Sequence, residues 1–167
     1  MTDEQMRLLR RLRARVGRTE ATPRVLYLED TWVPTLIGLT IAGTLTYDAT
    51  NTKAEWTRIG NRVLFNGRIR FTAIPVAPTG DVAITGLPYT SATTGFNSAG
   101  GCAMLLWTLN VGAGYTQVEG RVIDGETRIR LRESGDNLAN IPTQGGEVVL
   151  VGGAAEFQFE GQYRVAT

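Results

Sequence analysis

The chain of 167 residues is long enough for one domain, and its composition, 43% hydrophobic and 20% charged, is that of a folded protein. A net charge of +1 does not favour nucleic-acid binding, which normally requires a basic surface over the whole domain. The absence of histidine and the single cysteine exclude Ser–His and Cys–His nucleophiles and an intrachain disulfide, and they make a structural zinc site implausible.

Residues 1–23 are predicted to form a separate N-terminal segment that contains a short α-helix over residues 3–16. Apolar residues recur there at spacings of three and four, and arginines cover the other faces. Residues 1–18 carry a net charge of +4, so the rest of the chain carries −3. We expect an anchor or oligomerisation element, because so short a helix needs support from the chain's own body, from further copies or from another protein. Its assigned residues are Met6, Leu9, Leu12 and Val16 on the apolar stripe, with Arg7, Arg10 and Arg11.

Residues 24–167 show short strands and turns without helical periodicity. The clearest element is a β-hairpin over residues 54–73 that turns at Gly60 and Asn61, with a returning strand that alternates apolar and polar side chains. The other predicted strands are residues 25–28, 36–40, 44–47, 81–87, 102–109, 115–123, 126–133, 147–151 and 155–165. Parallel strands need crossover connections that are usually helical, so this region is predicted to be an antiparallel all-β domain.

Two of these strands, residues 126–133 and 155–165, alternate cleanly and should each have one buried and one exposed face, as in a β-sandwich. Residues 102–107 are instead apolar at both the even and the odd positions, so both faces of this strand are apolar. Such a strand lies either under a loop at the centre of a monomer or in an interface between copies. Cys102 within it is expected to be a buried and inert thiol.

Paired carboxylates are the one catalytic design that this composition leaves, as in glycoside hydrolysis. Asp124 and Glu126 are close in sequence, as are Glu29 and Asp30, but Asp124-Gly125 is a strong signal for a hairpin turn. We therefore expect no enzymatic activity, no cofactor and no metal. Membrane insertion is not expected, because no apolar run reaches the about 20 residues of a membrane helix. Three aromatic residues in or beside polar loops either face a ligand such as a glycan or plug the end of the sandwich: Tyr89, Phe96 and Tyr115.

Three segments resemble the small jelly-roll domains of tailed-bacteriophage fibre and head-decoration proteins. They are Trp-x-Pro-Thr-Leu at residues 32–36, Trp-Thr-Arg-Ile-Gly-Asn-x-Val at residues 56–63 with Tyr47 before it, and Gly-Leu-Pro-Tyr at residues 86–89. The resemblance covers residues 31–90 and the closing strand around residues 159–163. The glycine that is usual before the hairpin is missing, since residues 51–54 occupy its place.

The resemblance implies a jelly-roll β-sandwich and a non-enzymatic structural protein of the virion, made in the host cytoplasm. It would be a homotrimeric capsid decoration protein, head fibre or fibre tip, with or without weak adhesion to host-surface glycans. The N-terminal segment would attach it to a capsid or tail protein, with the arginines meeting an acidic surface. The alternative is a dedicated lectin-like receptor-binding protein of the tail that serves host attachment, and a glycan hydrolase is a further alternative.

Overall fold

The computed structural model describes residues 26–108, 110–136, 138–150 and 152–166, and this part of the chain is almost entirely β-structure. The strands are β1 (Tyr27–Trp32), β2 (Thr35–Gly38), β3 (Thr44–Tyr47), β4 (Lys53–Ile59), β5 (Arg62–Val76), β6 (Val82–Thr85), β7 (Gly100–Trp107), β8 (Gln117–Val122), β9 (Arg128–Ser134), β10 (Ile141–Pro142) and β11 (Ala155–Arg164). All of their pairings are antiparallel, which confirms the predicted antiparallel all-β class.

One predicted strand is wrong. Residues 147–151 were expected to be extended because they are apolar, but a turn of 3₁₀ helix spans Gly145–Glu147, and the short strand of this region is β10, paired with β9. Val148 is still buried, so its apolar side chain packs from an irregular loop. The predicted helix over residues 3–16 and the division after residue 23 lie outside the described residues and stay predictions.

The strands form one sheet that curls until its two ends meet. The order is β1-β4-β5-β11-β7-β8-β9-β6-β2, with β3 beside β5 and β10 beside β9. β1 and β2 lie at opposite ends of this order, yet only Val33 and Pro34 separate them in sequence. A connection this short reaches about 10 Å, so the two ends must be close in space. The jelly-roll arrangement is a finer description than this curled sheet, and it stays a prediction.

Tyr47 on β3 joins the two ends of the sheet. Its phenol oxygen accepts a hydrogen bond from the backbone N–H of Leu36 at 2.9 Å and donates one to the carbonyl oxygen of Leu36 at 3.2 Å. Leu36 lies on β2, and β6 is the only strand that pairs with β2 in the part of the chain that the structure describes. The hydroxyl of Tyr47 therefore satisfies backbone groups on the side of β2 that has no neighbouring strand.

The inner side of the curled sheet encloses one hydrophobic core. The apolar sets predicted on the hairpin and on the last strand are all buried: Val63, Phe65, Ile69, Phe71, Phe157, Phe159, Tyr163 and Val165. Gly67 lies on the same side of β5, where a Cβ atom would be 2.6 Å from Cζ of Phe159, so glycine leaves the space that this ring fills. The predicted turn is also confirmed, since Ile59 pairs with Arg62 and Gly60 has a φ of 60°, which favours glycine.

Candidate functional site

The register of the strands aligns two rows of side chains on the outer face of the sheet. On β4, β5, β11 and β7 these residues alternate with buried or half-buried ones, because successive side chains of a strand point to opposite faces. On β1, residues 27–31 are all exposed. The first row, from β1 to β7, is Thr31, Glu55, Asn66, Glu160 and Ala103. The second row, from β1 to β7, is Glu29, Thr57, Leu64, Gln162 and Gly101.

All of these residues except Gly101 line a groove with a volume of about 930 Å³. We call it the outer groove and define it by six of its lining residues: Glu29, Glu55, Leu64, Asn66, Glu160 and Gln162. They come from four strands that are adjacent in the sheet: β1, the hairpin strands β4 and β5, and β11, which is distant from the other three in sequence. The sequence predicted outward faces for these strands, but it contained no signal for which outward residues would lie side by side.

The outer groove is acidic and its carboxylates lack basic partners in the described part of the chain. None of the ion pairs among the described residues includes a carboxylate of the groove. These ion pairs are Arg68–Glu156, Arg70–Asp48, Arg128–Glu126 and Arg130–Glu126. Glu29 instead accepts a hydrogen bond from the hydroxyl of Tyr27 at 2.6 Å, which raises the pKa of Tyr27. Glu55 accepts a hydrogen bond from the side-chain amide of Asn66 at 3.1 Å. Arg62 lies beside the groove, where its guanidinium donates to Oε1 of Gln162 at 3.3 Å, but among the described residues it forms no ion pair with these carboxylates.

Apolar side chains lie beside these carboxylates. Leu64 is 44% exposed in the groove, and Leu105 farther along β7 is 58% exposed. The inward residues of β7, Cys102 and Met104, are buried. Ala103 and Leu105 are exposed on the outer face in the described part of the chain, which favours the interface over a covering loop, and the choice between these two alternatives stays a prediction.

The thiol of Cys102 is buried, as predicted, and its inertness stays a prediction. Burial, followed in importance by the charge of Glu119, raises the pKa of Cys102 to about 12. A thiol with this pKa is almost entirely protonated at neutral pH and is a poor nucleophile.

Tyr89, one of the three predicted ligand-facing aromatics, packs against the end of the core. Its ring is edge-on to Trp56 with centroids 5.2 Å apart, and the Arg58 guanidinium carbon lies 4.7 Å from its ring centroid. The hydroxyl of Tyr163 accepts from the backbone N–H of Tyr89 at 3.2 Å and donates to its carbonyl at 3.1 Å. This placement agrees with the alternative in which Tyr89 closes the end of the sandwich, and a contact between Tyr89 and a ligand stays a prediction.

Phe96 and Tyr115 lie in other parts of the surface. Phe96 is 83% exposed, and Tyr115 is half-buried and donates its hydroxyl proton to the carbonyl of Ala139 at 3.2 Å. Their ligand contacts also stay predictions. The anchor residues Met6, Leu9, Leu12, Val16, Arg7, Arg10 and Arg11 lie outside the described residues.

Asp124 holds the loop that carries Phe96. Its carboxylate accepts hydrogen bonds from the backbone N–H groups of Thr94 at 2.8 Å and Gly95 at 3.0 Å. Burial acts to raise the pKa of Asp124, but these donors outweigh it and hold the pKa below its usual range. Asp124-Gly125 forms the predicted turn, and Glu126 pairs with two arginines of β9. Both carboxylates are thus used within the fold.

The structure brings together two other carboxyl groups, Glu133 and Glu147. Glu133 is fully buried, and its Oε2 atom accepts from the backbone N–H of Gly112 at 2.9 Å. Burial, with a further contribution from the Glu133 carboxyl, raises the pKa of Glu147 to about 7. The other carboxyl oxygen of Glu133, Oε1, is buried and has no hydrogen-bond partner among the described residues. The sequence contained a signal for the burial of Glu133, because Glu133 lies on the same face of its strand as Ile129 and Leu131, which are buried.

Two further features bear on function. No group of three or more histidine, cysteine, aspartate or glutamate side chains is placed to hold a metal ion within the described ranges. Over those same residues, no helix is long and apolar enough to cross a membrane.

Comparison with known proteins supports the fold and shows no family. No protein-family model matches the chain, and no curated protein matches it. Among solved structures, the crystal structure of the Dettilon tailspike protein (gp208) is similar, with a TM-score of 0.60 and 16% sequence identity over 83% of this chain. The match covers 24% of the tailspike chain, so this protein corresponds to about a quarter of that length. At this identity, the similarity shows a shared fold.

Proposed function

We propose that this protein is a structural protein of a tailed-bacteriophage virion, displayed on the particle as a homotrimer. The observation that carries the proposal is the fold similarity, over 83% of the chain, to part of a phage tailspike. The sequence resemblance to phage fibre and head-decoration proteins is a separate argument for the same class. A head fibre or decoration protein and a fibre tip are the two positions that we propose.

The residues that carry the resemblance act together as a packing unit. Trp32 is edge-on to Phe65 with centroids 6.1 Å apart, and a Cβ atom at Gly86 would lie 3.1 Å from the Trp32 ring. Trp56 and Tyr89 are in contact beside this unit. The shared motifs therefore mark how the two ends of the domain are packed, which favours a common jelly-roll type of fold over a common ligand.

The open edge of β1 is our candidate for the trimer contact. Within the described residues, β1 pairs only with β4, and Leu26, Tyr27 and Leu28 are exposed at or next to this edge. An exposed apolar edge strand promotes association with other chains unless it is covered. We propose that three copies cover this edge, while residues 1–23 attach the trimer to a capsid or tail protein.

A non-enzymatic role is supported by what the acidic side chains do. Asp124 holds a loop, Glu126 forms ion pairs, and burial, with a contribution from Glu133, raises the pKa of Glu147. Glu29 and Asp30 are consecutive strand residues, whose side chains point to opposite faces. Asp124 and Glu126 thus serve the fold, whereas Glu29, Glu55 and Glu160 face the outer groove.

The second candidate function is a lectin-like receptor-binding protein of the tail, with glycan hydrolysis as a less favoured version. The outer groove favours it, because Asn66 and Gln162 amides beside carboxylates are suitable partners for sugar hydroxyls. A glycan array would detect such binding, and sugar release from host-surface glycans would reveal hydrolysis. If neither binding nor sugar release is detected, the structural role is favoured over this second candidate.

Light scattering on the full chain tests the trimer. We expect three times the 18.1 kDa mass of one chain at micromolar concentration. Leu28→Lys on the β1 edge should give a smaller species, whereas Leu138→Lys, an exposed leucine in a distant loop, should leave the mass unchanged. A stable monomer of the unmodified protein would contradict the trimer. Deleting residues 1–20 should abolish incorporation into particles, and retained incorporation would contradict the anchor.

A further inference from the structure

We propose that the outer groove is the docking site for the cationic N-terminal segment of the same chain, residues 1–18. The groove and the segment are complementary in charge. The segment has six arginines and a net charge of +4, while the remainder of the chain has −3. Glu29, Glu55 and Glu160 are exposed in the groove, and the ion pairs of the described residues leave all three without a basic partner.

The apolar and charged positions of the two surfaces also match. Glu55 on β4 and Glu160 on β11 lie on either side of β5, so about 10 Å separates their backbones. Leu64 lies between these two strands and is 44% exposed. The predicted helix has the complementary arrangement, an apolar stripe of Met6, Leu9, Leu12 and Val16 with arginines on both sides. The stripe would cover Leu64 while the arginines reach the carboxylates.

The groove has the size of a short helix. A helix with its side chains is about 10 to 12 Å across and rises 1.5 Å per residue. The groove volume of about 930 Å³ therefore holds about six to eight residues, or about two turns. Two turns include two or three residues of the stripe and several arginines.

The point where the segment joins the body permits this docking. β1 begins at Tyr27, and Glu29 of the groove lies two residues farther along the same strand. Residues 19–25 can span up to about 25 Å, whereas the five strands from β1 to β7 are about 20 Å across. The segment can therefore reach every part of the groove of its own chain without help from a second copy.

This docking does not depend on the proposed function. It gives the N-terminal segment a place on the isolated protein, from which the segment must leave to contact a capsid or tail protein. Docking can thus be absent while the virion role holds, and the reverse is equally possible.

Trypsin cleavage measures the docking directly, because the enzyme cuts after the arginines of the segment. The full-length protein is digested briefly, and mass spectrometry follows cleavage after residues 7–18. A synthetic peptide of residues 1–24 is the undocked reference. We expect slower cleavage in the protein than in the peptide, and the difference should shrink as salt is raised from 0.05 to 0.5 M, because salt screens exposed charges.

Matched charge variants locate the contact. Glu55→Gln and Glu160→Gln should each speed cleavage about two- to fivefold, the range for one exposed ion pair. Asp136→Asn removes the same charge from an exposed loop outside the groove and should leave the rate unchanged. Circular dichroism confirms that each variant is folded.

Three results would overturn the proposal. They are cleavage as fast as in the peptide, equal effects of Glu55→Gln and Asp136→Asn, and protection that disappears on dilution. The last would assign the groove to the segment of a second copy.

Discussion

The hydroxyl of Tyr47 offers a sharp test of the curled sheet, because it joins strands from opposite ends of the strand order. Tyr47→Phe removes one oxygen atom and leaves the ring, which packs edge-on to Phe71 with centroids 6.3 Å apart. The N–H and C=O groups of Leu36 would then lose their partner, and Leu36 is only 1% exposed. Burial raises the pKa of Tyr47, so the hydroxyl is protonated and able to donate at neutral pH.

The expected cost follows from these unsatisfied backbone groups. A buried polar group without a partner costs about 1–3 kcal/mol, so Tyr47→Phe should lower the free energy of unfolding by about 2 kcal/mol. In a domain of this size, that loss lowers the melting temperature by about 4–8 °C. Urea unfolding followed by fluorescence of the three tryptophans would measure it.

Tyr115→Phe is the matched control. It removes a hydroxyl whose hydrogen bond to Ala139 is exposed, so stability should change by less than about 0.5 kcal/mol. If Tyr47→Phe proves as harmless as Tyr115→Phe, the two ends of the sheet are not joined as described.

Three further substitutions test other parts of the account. Gly67→Ala should destabilise the protein by about 1–3 kcal/mol, because its Cβ would lie 2.6 Å from Phe159, whereas Gly146→Ala meets open space and should be nearly neutral in denaturant unfolding. The raised pKa of Glu147, about 7 against 4.5, means that the native state holds a proton that the unfolded state has lost between these pH values. Stability should therefore fall by about 2 kcal/mol from pH 4.5 to 7, and Glu147→Gln should flatten this dependence, so an unchanged slope in the variant would contradict the assignment. Asp124→Ala should accelerate amide hydrogen exchange at Thr94 and Gly95 while leaving β5 protected, and unchanged exchange at both amides would refute the loop-holding role.

Local patterns in the sequence predicted much of the fold. The alternation around Phe65 and Phe159 identified their buried faces, and Gly60-Asn61 identified the hairpin turn, because these features depend on neighbouring residues. The apolar run at residues 147–151 misled the prediction, since burial of Val148 in a loop leaves the same hydrophobic signal as burial in a strand.

The outer groove could not be predicted, because it depends on register between distant segments. Glu55 and Glu160 are 105 positions apart in the chain, and they flank Asn66 only because β4 and β11 both pair with β5. The closure by Tyr47 has the same origin, since one hydroxyl meets a backbone from the other end of the sheet. Buried Glu133 was the exception, because its position in the alternation of β9 was visible in the sequence.

Cryo-electron microscopy of particles from the phage that encodes this chain tests the central claim most directly. We expect projections on the head or tail in which three copies of the curled sheet surround a threefold axis. Their β1 edges should be covered, and residues 1–23 should lie at the particle surface. Particles that contain no copy of the chain, or copies bound singly with an open β1 edge, would contradict the account.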